Sequence, residues 1–360
     1  MIDPAASFTG LVDLASASLG GRGVGTSDDF FAGVDNLLLP GRGVFVDGKF
    51  TDRGKWMDGW ESRRKRASGL DAHDWCVLEL GAAGRVLGFD VDTNHFVGNA
   101  PSFASVEGLH APRGVPLEEL ERLSWIELLA QAPLRPGSQN LFAARVTITS
   151  EPVTHVRLNI WPDGGVARFR VFGRVQPDWA SAREEPLDAE TAAHVPRGLV
   201  DLAAVKNGGV ALACSDAFFG PMNNLLLPGH AENMGGGWET RRRRGPGHDW
   251  ILLQLGARGA PAVVEIDTNH FKGNYPDRAS IEWIDAPGAR ITDLVASSKW
   301  SPLLPETKLE AHTRHFFKEA LAPATAASHL RVNVYPDGGI SRLRVWATGP
   351  SGTGPSGARP

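Results

Sequence analysis

The chain has 360 residues, about two domains' worth, with 42% apolar and 22% charged residues and a formal net charge of −4. That balance gives no global positive field to draw nucleic acid or an anionic membrane surface, and two cysteines are too few for a disulfide scaffold. The first residues lack a basic segment followed by an apolar run, and no apolar stretch approaches the roughly 18 residues that would cross a bilayer, so a reduced, cytoplasmic protein is expected.

Read in chain order, the sequence repeats itself. LVDLA at 11–15 returns at 199–203, SDDFF at 27–31 as SDAFF at 215–219, and NLLLPG at 36–41 at 224–229. GWESRRKR at 59–66 answers GWETRRRR at 237–244, and HDW at 73–75 recurs at 248–250. DTNHFVGN at 92–99 answers DTNHFKGN at 267–274, and HVRLNIWPDGG at 155–165 answers HLRVNVYPDGG at 329–339. The offset between copies shrinks along the chain, so the first copy carries extra residues within GVFVDGKFTDR at 43–53 and near 67–72. Motif order is kept, which makes this a duplicated domain and not a short-period solenoid. The first repeat is placed at 11–173, a polar linker at 174–198, the second repeat at 199–348, and a disordered Gly/Pro/Ser-rich tail at 349–360.

Each copy reads as mostly strand. Residues 77–80 and 251–255 are short apolar runs, and 86–92 and 263–267 alternate apolar with polar. Residues 116–130 carry Leu117, Leu120 and Leu123 near one stripe and predict a helix. Residues 156–160, the turn Pro162-Asp163-Gly164-Gly165 and residues 167–172 predict a hairpin, with a twin around Pro336-Asp337-Gly338-Gly339. Many short strands with turn residues between them fit two tandem jelly-roll-like β-sandwiches.

Three constellations can carry chemistry. In the basic motif, Glu61 with Arg63, Arg64 and Arg66, and Glu239 with Arg241, Arg242 and Arg244, offer planar guanidinium forks for a carboxylate; a solvated charged strand is the competing reading. The loop after the alternating strand gathers Asp92, Asn94, His95 and Asn99, twinned by Asp267, Asn269, His270 and Asn274, able to move protons and pair with amides. Its spacing matches no zinc or EF-hand pattern, and a structural histidine is the alternative. In His73-Asp74-Trp75 and its twin His248-Asp249-Trp250, a turn cap is favoured over a His–Asp pair, because sequence neighbours on a strand face opposite ways. Asp28 and Asp216 read as Asx-type turns, and Arg157, Arg168 and Arg170 with their twins as a solvated sheet face. Cys76 and Cys214 have no cysteine at the matching position of the other copy, which favours packing roles.

Taken together, GW-E-(S/T)-RR-(K/R)-R, HDW, DTNHF-x-GN and (W/Y)-PDGG, in that order and twice over, resemble allantoicase across roughly residues 11–346. The resemblance implies two galactose-binding-like β-sandwich repeats, an oligomer, and hydrolysis of allantoate to ureidoglycolate and urea in purine catabolism. It makes the arginines a clamp for the allantoate carboxylate and Asn94, Asn99, Asn269 and Asn274 partners for its ureido groups. His95 or His270 with Asp92 or Asp267 would move protons, with Glu61 or Glu239 as rivals. No cofactor is required by these residues, and a divalent metal is left open. The opposing reading is a tandem carbohydrate- or carboxylate-binding β-sandwich protein without turnover.

Overall fold

The computed structural model describes residues 8–65, 72–145 and 151–350. It is mostly β, and the chain divides into two compact units after Gln176. Among the described residues no helix is long and apolar enough to cross a membrane.

In the first unit, the 19-residue strand Asp74–Asp92 belongs to both layers of a sandwich. Its first part pairs with Arg22–Thr26 on one side and Val153–Trp161 on the other, and the row continues through Phe103–Leu109 to Ile126–Pro133. Its second part pairs with Arg168–Val175, which carries Val12–Asp13, and with Leu141–Ala143. The strand changes layers at glycines: a Cβ on Gly84 would lie 2.4 Å from the Arg174 carbonyl oxygen. In the second unit the same path is two strands, Asp249–Gly259 and Pro261–Asp267. Pro261 has no N–H to continue a ladder, and it begins the new strand. The result is a five-stranded sheet, in the order Val210–Cys214, Asp249–Gly259, Ala327–Tyr335, Arg278–Ile284 and Ser301–Lys308. A four-stranded sheet runs Leu199–Asp201, Arg342–Thr348, Pro261–Asp267 and Arg314–Phe317.

Leu78, Val106 and Leu158 of one layer and Phe89, Val91, Phe169 and Val171 of the other are fully buried, with Phe89 and Phe169 stacked at 5.9 Å. Ile281, Leu253 and Val332 with Ile266, Leu343 and Val345 repeat this core in the second unit. Each such side chain contributes roughly 1.5–3 kcal/mol of burial, which makes this the main stabilising term.

Two local expectations give way to long-range pairing. The helix expected over 116–130 is only one turn, Leu117–Leu120, after which Ile126–Pro133 joins the sheet edge beside Phe103–Leu109. Leu120 is buried against Val77, Leu109 and Ala111. A short helix is marginal alone, and the edge offers an eight-residue strand a ladder instead. The expected hairpin at Pro162–Gly165 is an arch: Val153–Trp161 and Arg168–Val175 lie in different layers and do not pair. Gly164, at φ 131°, passes where a Cβ would be 2.3 Å from the Asn99 carbonyl oxygen, so glycine is needed there. Residues 174–198 carry structure of their own. Asp178 caps the helix Trp179–Arg183 and Asp188 caps Ala189–His194, while Trp179 and Val195 are buried. Residues 351–360 of the tail lie outside the described residues.

Candidate active site

The arch draws the repeated motifs together. Gly165–Val166 pairs with Trp60–Glu61, and Ser62 exchanges hydrogen bonds with Gly164 through its backbone N–H and its Oγ, each at 3.1 Å. The Phe96 ring, fully buried, fills a socket lined by glycine: a Cβ on Gly165 would lie 1.9 Å from it and one on Gly59 3.0 Å. Behind Phe96 the loop turns so that Asn99 accepts the Gly165 N–H on its carbonyl and donates through Nδ2 to Glu61 Oε1 at 2.7 Å.

Around this frame charged side chains are held in fixed pairs. Trp60 donates through Nε1 to the Asp28 carbonyl at 2.8 Å. The Asp28 carboxylate accepts the Arg63 backbone N–H at 3.0 Å and the Arg63 Nε at 2.6 Å. Burial works to raise the Asp28 carboxyl, but hydrogen bonds from Arg63 and from the Phe30 and Arg63 backbone outweigh it and hold it below the usual carboxylate range. The Phe30 ring lies 5.1 Å from the Arg63 guanidinium carbon, so this side chain is oriented from two sides while 63% exposed. Lys65 pairs with buried Asp74 at 2.9 Å, and Ser27 Oγ donates to the same carboxylate at 2.7 Å. Arg64, 73% exposed, reaches Asp163 at 3.6 Å. Burial pushes the Glu61 carboxyl above its ordinary value, against the Asn99 hydrogen bond that favours its charged form. A cavity of about 530 Å³ is lined by Asp28, Phe31, Arg63, Arg64, Lys65 and Asp74, within the range of roughly 300–1,000 Å³ usual for small-molecule sites.

The second unit repeats the arrangement. Asp216 accepts from the Arg241 backbone N–H and Nε, both at 2.8 Å, and Trp238 donates to its carbonyl at 2.9 Å. Asn274 donates to Glu239, Arg243 pairs with Asp249, and Phe271 sits over Gly339 and Gly237. Arg242 and Arg244 stand exposed; Arg66 lies outside the described residues.

Thus the fold brings Asn99 to Glu61 and Asp28 to Arg63, and in the second unit Asn274 to Glu239 and Asp216 to Arg241, while Arg63 and Arg64 line a cavity whose lining does not include Glu61 or Asn99. The other loop residues face different partners. Asp92 is buried and gripped by Arg42 through Nε at 3.1 Å and Nη2 at 3.2 Å, and it accepts the Asn94 N–H. Asn94 Nδ2 donates to the Gly43 carbonyl. His95 is exposed, with its ring 5.8 Å from that of Phe45. His270 is tied by Nε2 to the Ala231 carbonyl at 2.8 Å, and its N–H donates to His312 Nδ1. Both histidines hold left-handed backbones, φ 68° and 72°, turning the chain so that the next residue, Phe96 or Phe271, reaches its socket. Asp267 accepts the Asn269 N–H, but where Arg42 stands in the first copy the second has His230, 3.9 Å from Asp267. Sequence reasoning underrated Asp28, Asp74 and Asp163, although all three sit inside repeated motifs. Arg42 carried no such signal, because its partner is fifty residues away. Among the described residues no group of three or more His, Cys, Asp or Glu gathers as a metal ligand set.

Fold and site define the class: a duplicated β-sandwich protein whose charged cluster is built anew within each repeat. A model of the allantoicase repeat matches residues 12–176 and 200–350. The chain is 46% identical to a probable allantoicase of Burkholderia mallei over 94% of each chain, and 45% identical to one of Photobacterium profundum over 96% of this chain and 98% of that one. The crystal structure of allantoicase from Saccharomyces cerevisiae superposes with a TM-score of 0.75 at 33% identity, covering 96% of this chain and 98% of that one. The chain belongs to the allantoicase family.

Proposed function

We propose that this protein hydrolyses allantoate to ureidoglycolate and urea, a step of purine catabolism, and that the cluster around Glu61 in the first unit is its catalytic centre. Membership of the family supports the reaction. What supports the site is the geometry of one repeated motif: Glu61 held by Asn99 and raised by burial, followed in the chain by two outward-reaching arginines that line a cavity.

Allantoate carries a carboxylate and two ureido groups on one carbon. Arg63, preset by Asp28 and Phe30, and Arg64 take the carboxylate with charge-assisted hydrogen bonds. Breaking the bond from the central carbon to one ureido nitrogen requires a proton at that nitrogen, and a water hydroxyl replaces the group on carbon. A carboxyl whose pKa is raised by burial holds its proton to higher pH than a free one, which suits it to deliver a proton to the leaving nitrogen, and the resulting carboxylate then accepts one from water. Asn99, with its carbonyl and Nδ2 engaged, positions Glu61. His95, exposed and clear of the Glu61 pair, is the rival proton carrier, with Asp92 beside it already engaged by Arg42.

The test is to incubate the purified protein with allantoate and follow urea, ureidoglycolate and ammonia together. Equimolar urea and ureidoglycolate without ammonia is the expected result. Ammonia in place of urea would mean that another bond is cut. Absence of turnover, with divalent metals added as well as without, would favour the binding protein.

A further inference from the structure

The second unit has another cleft, of about 610 Å³, on the outer face of its five-stranded sheet. It is lined by His248, Trp250, Glu282, Arg331, Asn333 and Tyr335 among others, none of which serves the cluster around Glu239. Alternation along the strand Asp249–Gly259 sends Trp250 to the face opposite the one on which Asp249 meets Arg243, and His248, just before the strand, lines the same cleft.

The polar groups here are ordered by one another. Asn333 is 4% exposed, and its Nδ2 donates to Ser280 Oγ at 3.2 Å and to Glu282 Oε2 at 3.1 Å. Its Oδ1 lies 3.3 Å from His248 Nε2, so that nitrogen carries the ring proton. Arg331 donates through Nε to Glu282 Oε2 at 2.7 Å, and its guanidinium carbon lies 5.1 Å from the centre of the Trp300 ring. The His248 and Tyr335 rings are 4.6 Å apart. The first repeat keeps the same residues: His73, Trp75, Ser105, Glu107, Trp125, Arg157 and Asn159, with Trp161 for Tyr335. There Arg157 lies over both indoles, 5.9 Å from Trp75 and 4.5 Å from Trp125. Arg157 also reaches Glu107, at 3.5 Å, whereas Arg331 is closer to Glu282, at 2.7 Å, and Trp250 lines the cleft.

We propose that this cleft binds a neutral, planar ureide, a ring or chain presenting N–H beside C=O. Glu282 is paired with Arg331, and Glu306, also in the lining, with Arg278, so a net anion gains no attraction. An acceptor carboxylate beside a donor guanidinium complements an H–N–C=O edge, and aromatic walls suit a flat ligand. The lining of this cleft shares no residue with the cavity at Arg63 and Arg64.

Hydantoin is the probe, titrated into the full-length protein and followed by ligand-observed NMR and calorimetry. Binding is expected, weakened about tenfold or more in Glu282→Gln, which removes a charged acceptor. Allantoate turnover in that variant should match the wild type. The proposal is overturned if hydantoin does not bind, if Glu282→Gln binds it as well as wild type does, or if allantoate competes it off. It is also overturned if Trp250→Phe, a milder change to the wall, and Glu282→Gln both leave the hydantoin signal intact. Because binding and turnover are read separately, a chain inactive on allantoate would still show whether the cleft takes hydantoin.

Discussion

Asn99 Nδ2 donates to Glu61 Oε1 at 2.7 Å, joining a loop residue to a strand residue 38 positions earlier in the chain. The same bond links Asn274 to Glu239 in the other repeat. Glu61 is the more informative of the two carboxyls, because burial raises it above its ordinary value.

Replacing Glu61 by Gln is therefore expected to lower kcat by about 10²–10⁴-fold, the usual range for a general acid–base group, with little change in KM. As a proton donor Glu61 must be protonated, so wild-type kcat/KM should fall as pH climbs through its raised pKa, and that limb should disappear in the variant. Glu239→Gln, measured beside it, should keep wild-type kcat. If the two effects are reversed, the second unit is the catalytic one. His95→Ala should leave kcat/KM within about threefold, since a loss of the acid–base magnitude there would make His95 the proton carrier.

Arg63→Ala is expected to raise KM for allantoate by about 10–100-fold through loss of a charge-assisted pair. Arg63→Lys should recover little of it, because an ammonium cannot take a carboxylate with a fork or keep the contact with Asp28 Oδ2 in the same geometry. Steady-state kinetics on the three proteins decides this.

The Phe96 socket predicts two stability losses of different origin. Phe96→Ala leaves a cavity and should cost about 3–5 kcal/mol. Gly165→Ala inserts a methyl where the ring already lies, and overpacking should cost about 1–3 kcal/mol or more. Both are read from thermal or denaturant unfolding. Gly273→Ala, where a Cβ meets nothing within 4 Å, is the control and should melt near wild type.

Asp188 gives a pH test. Burial works to raise its carboxyl, but Thr191 and Arg314 overcome this and hold it far below the usual range. A depressed folded pKa gives stability that is complete above the unfolded value of about 3.9 and is lost as pH falls toward the folded one. The Tm difference between wild type and Asp188→Asn should be steady from neutrality down to about pH 5 and close progressively below about pH 4. Asn still caps the helix, so the difference reports the pairing of Asp188 with Arg314 at 3.0 Å and with His230 at 3.8 Å. A difference that persists unchanged into acid would assign it to another cause.

Much of this was legible in the chain because the duplication works as an internal comparison: Arg63, Glu61 and Asn99 stand out by recurring with their neighbours. What was not legible is long-range. Residues 156–172 have every local mark of a hairpin, yet each strand gains more by pairing with Asp74–Asp92 in its own layer than with the other. Leu117, Leu120 and Leu123 mimic a helix stripe until the free edge at Phe103–Leu109 claims the residues that follow. Arg42 looks like any loop arginine until folding brings it to Asp92. The twin arginines 157 and 331 read as solvated sheet, whereas Trp125 and Trp300, which lie against them, are far away in sequence.

Arg42 and His230 stand at matching positions of two clusters, each knitted within its own repeat. Glu61 draws its partners from within residues 27–165, and Glu239 draws its own from within 215–339. Among the described residues the side chain bonded to each carboxyl comes from its own repeat, so a change in one cluster leaves the bonds of the other in place. Charge differs between the copies, a permanent cation at Arg42 against an imidazole at His230, while both keep an aromatic peg, Phe96 or Phe271, in a socket of glycines.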